Sequence, residues 1–188
     1  MTKAIIETPR LQLREMVWDD KESIAAILQD ERVMYAYNGA FSEEETDAWI
    51  ERQRQRYKEY GFGLWAVLQK ESSQVIGQCG ITMQEYKDRL VPEIGYLFAC
   101  KHWHKGYATE AATACREYGF KTLRFEALYS IIRDTNLASM QVAIRNGMKP
   151  VDTLVKHYRG VEMPHTVFRV EALLWKSPRR KPLGVLDF

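Results

Sequence analysis

The sequence predicts an α+β domain: a mixed, mostly antiparallel sheet of about seven strands with helices on both faces. Three observations predict it. Apolar residues recur at helical spacing early in the chain, strand-like runs joined by short turns fill the middle, and helix-like and strand-like segments then alternate to the end. No repeat, low-complexity tract or Gly/Ser linker divides the 188 residues, so one domain over 1–175 and a short tail over 176–188 are expected.

The first strand is Leu11-Gln12-Leu13-Arg14, which alternates apolar and polar after Thr8-Pro9. Asp19 or Asp20 can cap a helix carrying Ile24, Ile27 and Leu28. Ser42 followed by Glu45 is a capping-box pattern that opens a second helix through about Tyr57, and Gly61 and Gly63 break it. Strands follow at Leu64 to Leu68, Val75 to Met83 and Val91 to Phe98. Their turns, KESSQ and YKDR, are short enough to make the three antiparallel neighbours. Gly106 starts a helix whose Ala108, Ala111, Ala112, Cys115 and Gly119 share one face, small enough to lie close on a sheet. Ala127 to Ile132 reads as a strand, and Asn136 to Asn146 as a helix ended by Gly147. Val151 to Tyr158 and Val167 to Leu174 close the pattern as strands.

Composition narrows the partners. Hydrophobic residues make up 46% and charged residues 28%, an ordinary globular mix. The net charge is +2 with both signs interspersed, whereas nucleic acid and membrane surfaces ask for clustered positive charge, so neither partner is expected. The one dense basic run, Lys176 to Lys181, reads as a solvated tail. Cys79, Cys100 and Cys115 form no CxxC pair, and with four histidines they supply no metal-ligand spacing. The N-terminus has no apolar h-region, and no apolar run reaches about 18 residues, so a cytoplasmic location is expected.

Chemistry concentrates in Glu93-Ile94-Gly95-Tyr96-Leu97-Phe98 and Trp103-His104-Lys105-Gly106-Tyr107-Ala108-Thr109-Glu110-Ala111, a strand, a loop and a helix start. Amides in a helix's first turn lack intrahelical partners and sit at a positive dipole end, so they bind phosphate when backbone can come close. Gly106 and Ala108 allow that approach, with donors from about His104 to Thr109. The same pattern also serves as a plain tight turn. GxxxxGK[ST] and G-x-G-x-x-G are both absent.

The run Trp103 to Ala111 resembles the coenzyme A pyrophosphate loop of the GCN5-related N-acetyltransferases (GNAT), particularly their RimJ/RimL-like branch. Thr8-Pro9-Arg10-Leu11-Gln12-Leu13-Arg14 is similar to that branch's opening strand. Asn136-Leu137-Ala138-Ser139 with Arg145-Asn146-Gly147-Met148 is similar to its N-x-x-S…K-x-G-F helix. The likeness spans roughly residues 8 to 172. Four positions depart from the pattern: Trp103 holds a Gln/Arg place, His104 stands where Gly is frequent, and Arg145 and Met148 replace Lys and Phe.

The resemblance implies acetyl-CoA as cofactor, held by Trp103 to Thr109, and direct acetyl transfer to a primary amine. It further implies an oxyanion donor from a backbone N–H near Leu97 or Phe98, and Asn136 as a partner of the cofactor arm. Ser139 takes the place of the thiolate-protonating Tyr of other relatives, where this chain has Ala143. Such a transfer needs a base, an oxyanion donor and a stabilised thiolate. Glu93, on the strand before the loop, is the candidate base; a solvent-facing strand carboxylate is the plainer reading. Asn136 and Ser139 equally suit a helix start. Tyr35, Tyr37, Asn38 and Trp49, with Phe41, His102 and Trp103 nearby, are candidates for the acceptor wall, or for core. His104 is a second candidate base, and Cys100 and Cys115 lack a base to activate them. The acceptor expected is a protein N-terminal amine, with a small amine (amino acid, polyamine or antibiotic) and a non-catalytic acetyl-CoA-binding regulator as alternatives. A homodimer through the last strands and the tail is a further expectation.

Overall fold

A computed structural model describes residues 3–173 of the chain. The Trp175 to Phe188 segment expected to support a dimer, and the basic run within it, lie outside the described residues. Eight strands form one sheet: β1 (Ile6–Glu7), β2 (Leu11–Arg14), β3 (Leu64–Gln69), β4 (Val75–Tyr86), β5 (Arg89–Phe98), β6 (Ala127–Arg133), β7 (Lys149–Tyr158) and β8 (Val161–Glu171). Their spatial order is β1-β2-β3-β4-β5-β6-β8-β7. Every neighbouring pair is antiparallel except β5 and β6, which run parallel. The expected mixed sheet is therefore present, with the short β1 added beside β2.

Local chemistry explains most boundaries. Helix α3 (Glu43–Tyr60) begins with the capping box that Ser42 and Glu45 promise, and ends at Gly61 in a left-handed conformation. β4 and β5 meet at a two-residue turn, Lys87-Asp88, with φ of 49° and 58°, whose twist matches that of the strands. α5 (Leu137–Arg145) ends at Gly147, where the Met148 N–H donates to the Ala143 C=O at 3.0 Å and the Met148 side chain enters the core. Helix α1 (Lys21–Leu28) starts where expected, but the Asp20 side chain does not cap it. Its carboxylate instead takes the Arg14 guanidinium at 2.6 and 2.7 Å and the Val17 N–H at 2.9 Å. A short α2 (Glu31–Met34) follows. β8 begins six residues before the expected Val167, because the chain already pairs with the tip of β7 from Val161 onward.

The sheet separates two large apolar clusters, and a third, smaller one joins Tyr86, Val91, Tyr129, Ile131 and Val167. One face carries α4 (Tyr107–Lys121) and α5, with Ala111, Ala112, Cys115, Val142 and Ala143 packed on Trp65, Val67, Ile81 and Ile94. The other carries α1, α2 and α3, with Ile24, Ile27, Leu28, Val33 and Ile50 packed on Leu64 and Ala66. Strand alternation sends Leu64 and Ala66 one way and Trp65 and Val67 the other. Gly119 is small for a reason: a Cβ there would sit 2.9 Å from Leu128 and 3.0 Å from Ile81. No described helix is long and apolar enough to cross a membrane, and no described His/Cys/Asp/Glu group could hold a metal ion.

Candidate functional site

The site grows from the one parallel pairing in the sheet. β5 and β6 are paired only at Glu93 opposite Tyr129, and beyond it they part into a fork. Within a strand, the N–H and C=O of one residue point the same way and successive residues alternate. The Ala99 N–H bonds the Ile76 C=O on the β4 side, so Leu97 and Gly95 also face β4. Ile94, Tyr96 and Phe98 therefore turn toward the fork. Of the two amides expected as donors, Phe98 faces the opening and Leu97 is directed into the β4 ladder; Tyr96, not among those expected, joins Phe98.

Side chains stop the ladder cleanly. The Ile94 C=O accepts the Ser130 hydroxyl at 2.8 Å, and the Ile131 N–H donates to the Glu93 carboxylate at 2.8 Å. Each group thus finds a partner where the next backbone rung would have been. Glu93 is half-buried in a cavity of about 470 Å³ shared with Thr82, Tyr96, Ser139 and His165. Burial pushes its carboxyl above the ordinary value, opposed by Lys156, the Ile131 N–H and Arg56. It is not a solvent-facing strand carboxylate.

Asn136 is the N-cap of α5. Its Oδ1 accepts the Ser139 N–H at 3.1 Å and also the Tyr35 hydroxyl at 2.8 Å. The Tyr96 hydroxyl donates to the Ser139 carbonyl at 2.8 Å, which ties β5 to α5 across the fork. The Ser139 hydroxyl makes no hydrogen bond among the described residues, and both Asn136 and Ser139 line the cavity.

At the other end lies the start of α4. Gly106, with φ of 79°, is its N-cap and supplies no side-chain cap, so the first-turn amides keep their hydrogen-bonding capacity. His104 also adopts a left-handed φ, 59°, the conformation a Gly there would take without strain. The Trp103 indole N–H donates to the Phe98 C=O at 2.7 Å and pins the loop to the end of β5. Lys105 and Thr109 lie on either side of the cap, and Ala108 packs against the core. The Tyr107 ring is buried, with its hydroxyl accepting from Gln69 at 3.2 Å, so its amide alone can serve a ligand.

Sequence reading missed Arg10, which holds this loop from about a hundred residues away. Its guanidinium donates to the Lys105 C=O at 2.9 Å and to Glu110 at 2.6 Å, and stacks 4.5 Å over the Tyr107 ring. Burial alone would raise the Glu110 carboxyl, but hydrogen bonds from Thr8 and Arg10 outweigh it and hold the group below its ordinary value. The Thr8-Pro9-Arg10 run was the only signal for this clamp.

The aromatic wall divides. Tyr37 lines the cavity and packs edge-on against Phe41 at 6.4 Å and Trp49 at 6.3 Å; burial pushes its hydroxyl pKa up. Trp49 lines the cavity too, while its indole N–H donates to the buried Gln78 side chain at 2.9 Å. Tyr35 reaches Asn136 instead of the cavity, and Asn38 is the left-handed end of the turn over Tyr35–Tyr37. Asn38, His102, Trp103 and His104 are not among the cavity's lining residues. Cys115 is buried with its sulfur 3.5 Å from that of Cys79.

Residues 10–149 match the family described as Acetyltransferase (GNAT) domain. The uncharacterized protein YkkB of Bacillus subtilis (strain 168) is 37% identical over 82% of this chain and 90% of its own length. The uncharacterized N-acetyltransferase YnaD of the same organism is 30% identical over 77% of this chain and 82% of its own. The fold is shared with RimL, a ribosomal L7/L12 alpha-N-protein acetyltransferase solved in complex with coenzyme A. That likeness has a TM-score of 0.75 at 15% identity and covers 90% of this chain and 98% of the other.

Proposed function

Because the chain belongs to the GNAT acetyltransferase family, whose enzymes are acyltransferases that use acetyl-CoA, we propose that it acetylates the N-terminal amine of a peptide or protein by direct attack. The observation that carries this reading is the fork: a half-buried carboxylate and two outward amides lie along it, and the loop that leads to an uncapped helix start is pinned at the end of β5. The RimJ/RimL-like motifs and the fold shared with RimL support the peptide acceptor.

These residues fit acetyl-CoA. Amides from His104 to Thr109, at the helix start and with no side-chain cap, suit its pyrophosphate. Arg10 and Trp103 fix that loop's position. When bound, acetyl-CoA supplies the activated acetyl group as a thioester. The Tyr96 and Phe98 amides face the fork and offer donors to an oxygen that gains negative charge. Glu93 accepts the proton of the attacking amine, directly or through a water. The Ser139 hydroxyl, without a hydrogen-bond partner among the described residues, donates a proton to the leaving sulfur, and Asn136 orients the first turn that carries it.

The test is acetyl-CoA-dependent thiol release with peptides starting in Ala, Ser, Met or Asp, set against amino acids, polyamines and aminoglycosides. Turnover on peptides is expected. Turnover only on small amines would remove the peptide acceptor; none on any amine, with acetyl-CoA still bound, would favour a non-catalytic regulator. Ser139→Ala is expected to lower kcat by roughly 100-fold. The α5 cap uses the Ser139 amide rather than its hydroxyl, so the variant folds normally and an unchanged kcat would limit Ser139 to structure.

A further inference from the structure

We propose that the acceptor amine is flanked by carboxylates, and that Arg52 and Arg56 of α3, with Lys156 of β7, recognise them. The inference rests on the transfer reading above and names the class of acceptor it uses.

The acceptor half of the cavity is cationic. Arg52, Arg56, Arg133 and Lys156 line it, and among the described residues none of the four forms an ion pair. Of the two carboxylates in the lining, Glu45 is already paired with Arg159 outside it, and Glu93 holds the Ile131 N–H. The surplus is positive, in the place where a positively charged amine would otherwise have to enter. A polyamine or aminoglycoside would bring several cations against unpaired guanidinium groups.

The helix itself incurs a cost for this arrangement. Arg52 and Arg56 stand at i and i+4 on one face, where like charges weaken a helix. Arg56 is half-buried and forms no ion pair among the described residues, its Nη1 donating to the Gln53 side chain at 3.2 Å. Two adjacent forks of donors suit carboxylates. The cofactor's phosphates are not what they await: none of residues 103–109 is among the lining of this cavity. Arg56 and Lys156 are also the cations whose fields reach Glu93, which sets the recognised carboxylates close to the reacting amine.

The experiment measures binding of N-acetylated tetrapeptides to the full chain with coenzyme A present, alongside turnover of the unacetylated forms. Acidic (Ala-Asp-Glu-Ala), neutral (Ala-Ala-Ala-Ala) and basic (Ala-Lys-Lys-Ala) sequences are compared, with N-acetylaspartate as the small-molecule arm. The acidic product is expected to bind at least about 10-fold tighter than the basic one. That preference should collapse in Arg56→Met and reverse in Arg56→Glu, a reversal that an unfolded variant would not give. Equal binding of all three peptides, or a basic preference, overturns the proposal. N-Acetylaspartate binding as tightly as the acidic peptide keeps the carboxylate recognition and removes the peptide acceptor. An acidic preference with no turnover on any amine keeps the recognition and rejects the transfer reading.

Discussion

Glu93→Gln lowers kcat/KM by roughly 100-fold or more, the scale of a lost general base. Gln retains an oxygen to accept the Ile131 N–H, so the end of the ladder stays closed and the fork keeps its shape. The pH profile separates this role from a structural one. Activity needs the carboxylate form, and burial raises the Glu93 pKa, so the rate climbs with pH along a limb set above the ordinary 4.5. In Glu93→Gln that limb disappears. Stability runs in the opposite sense. The folded state holds the Glu93 proton more tightly than the unfolded chain, so folding weakens as pH rises past 4.5 and the Gln variant is no less stable at neutral pH. A variant keeping a third of the wild-type rate, with the acid limb intact, would mean that the base lies elsewhere.

Gly80→Ala costs about 3 kcal/mol or more, at the upper end of overpacking, and lowers Tm by roughly 6–12 °C in a chain of this size. A Cβ at position 80 would lie 2.0 Å from the Gly63 carbonyl oxygen and 2.8 Å from the Leu64 Cα. Both are backbone atoms, so no rotamer change relieves the contact. Strands β3 and β4 would have to separate, and with them the pairing of Trp65 with Cys79. Gly61→Ala is the useful comparison: a Cβ there meets nothing within 4 Å, and only its φ of 77° opposes the change. Equal thermal unfolding of the two variants would show that the β3–β4 contact gives way easily.

What could be read from the sequence was local. The Ser42–Glu45 box, the hairpin turn before Arg89 and the glycine ending α5 each depend on a few consecutive residues, and each lies where the pattern puts it. The fork was not legible as such, because it is the place where pairing fails between strands far apart in the chain. Only the partners of Ser130 and Glu93 reveal it. Asp20 looked like a cap until Arg14 claimed its carboxylate, and the charges of Arg52, Arg56 and Lys156 looked interspersed until β7 and α3 faced the same cavity. Asn38 and Tyr35 show the limit of closeness in sequence, since they stand near Tyr37 yet do not line the cavity with it.

The two apolar clusters on opposite faces of the sheet bear on how such a protein changes over time. The amides offered for the pyrophosphate start α4, which packs with α5 in one cluster, whereas Arg52 and Arg56 stand on α3, whose Trp49 and Ile50 belong to the other. Substitutions distant from one another with no shared partner act nearly independently. On the proposed reading, lineages can rewrite the outer arginines to suit a new amine while the opposite layer keeps its grip on the acyl donor. A single scaffold can diversify one specificity without renegotiating the other.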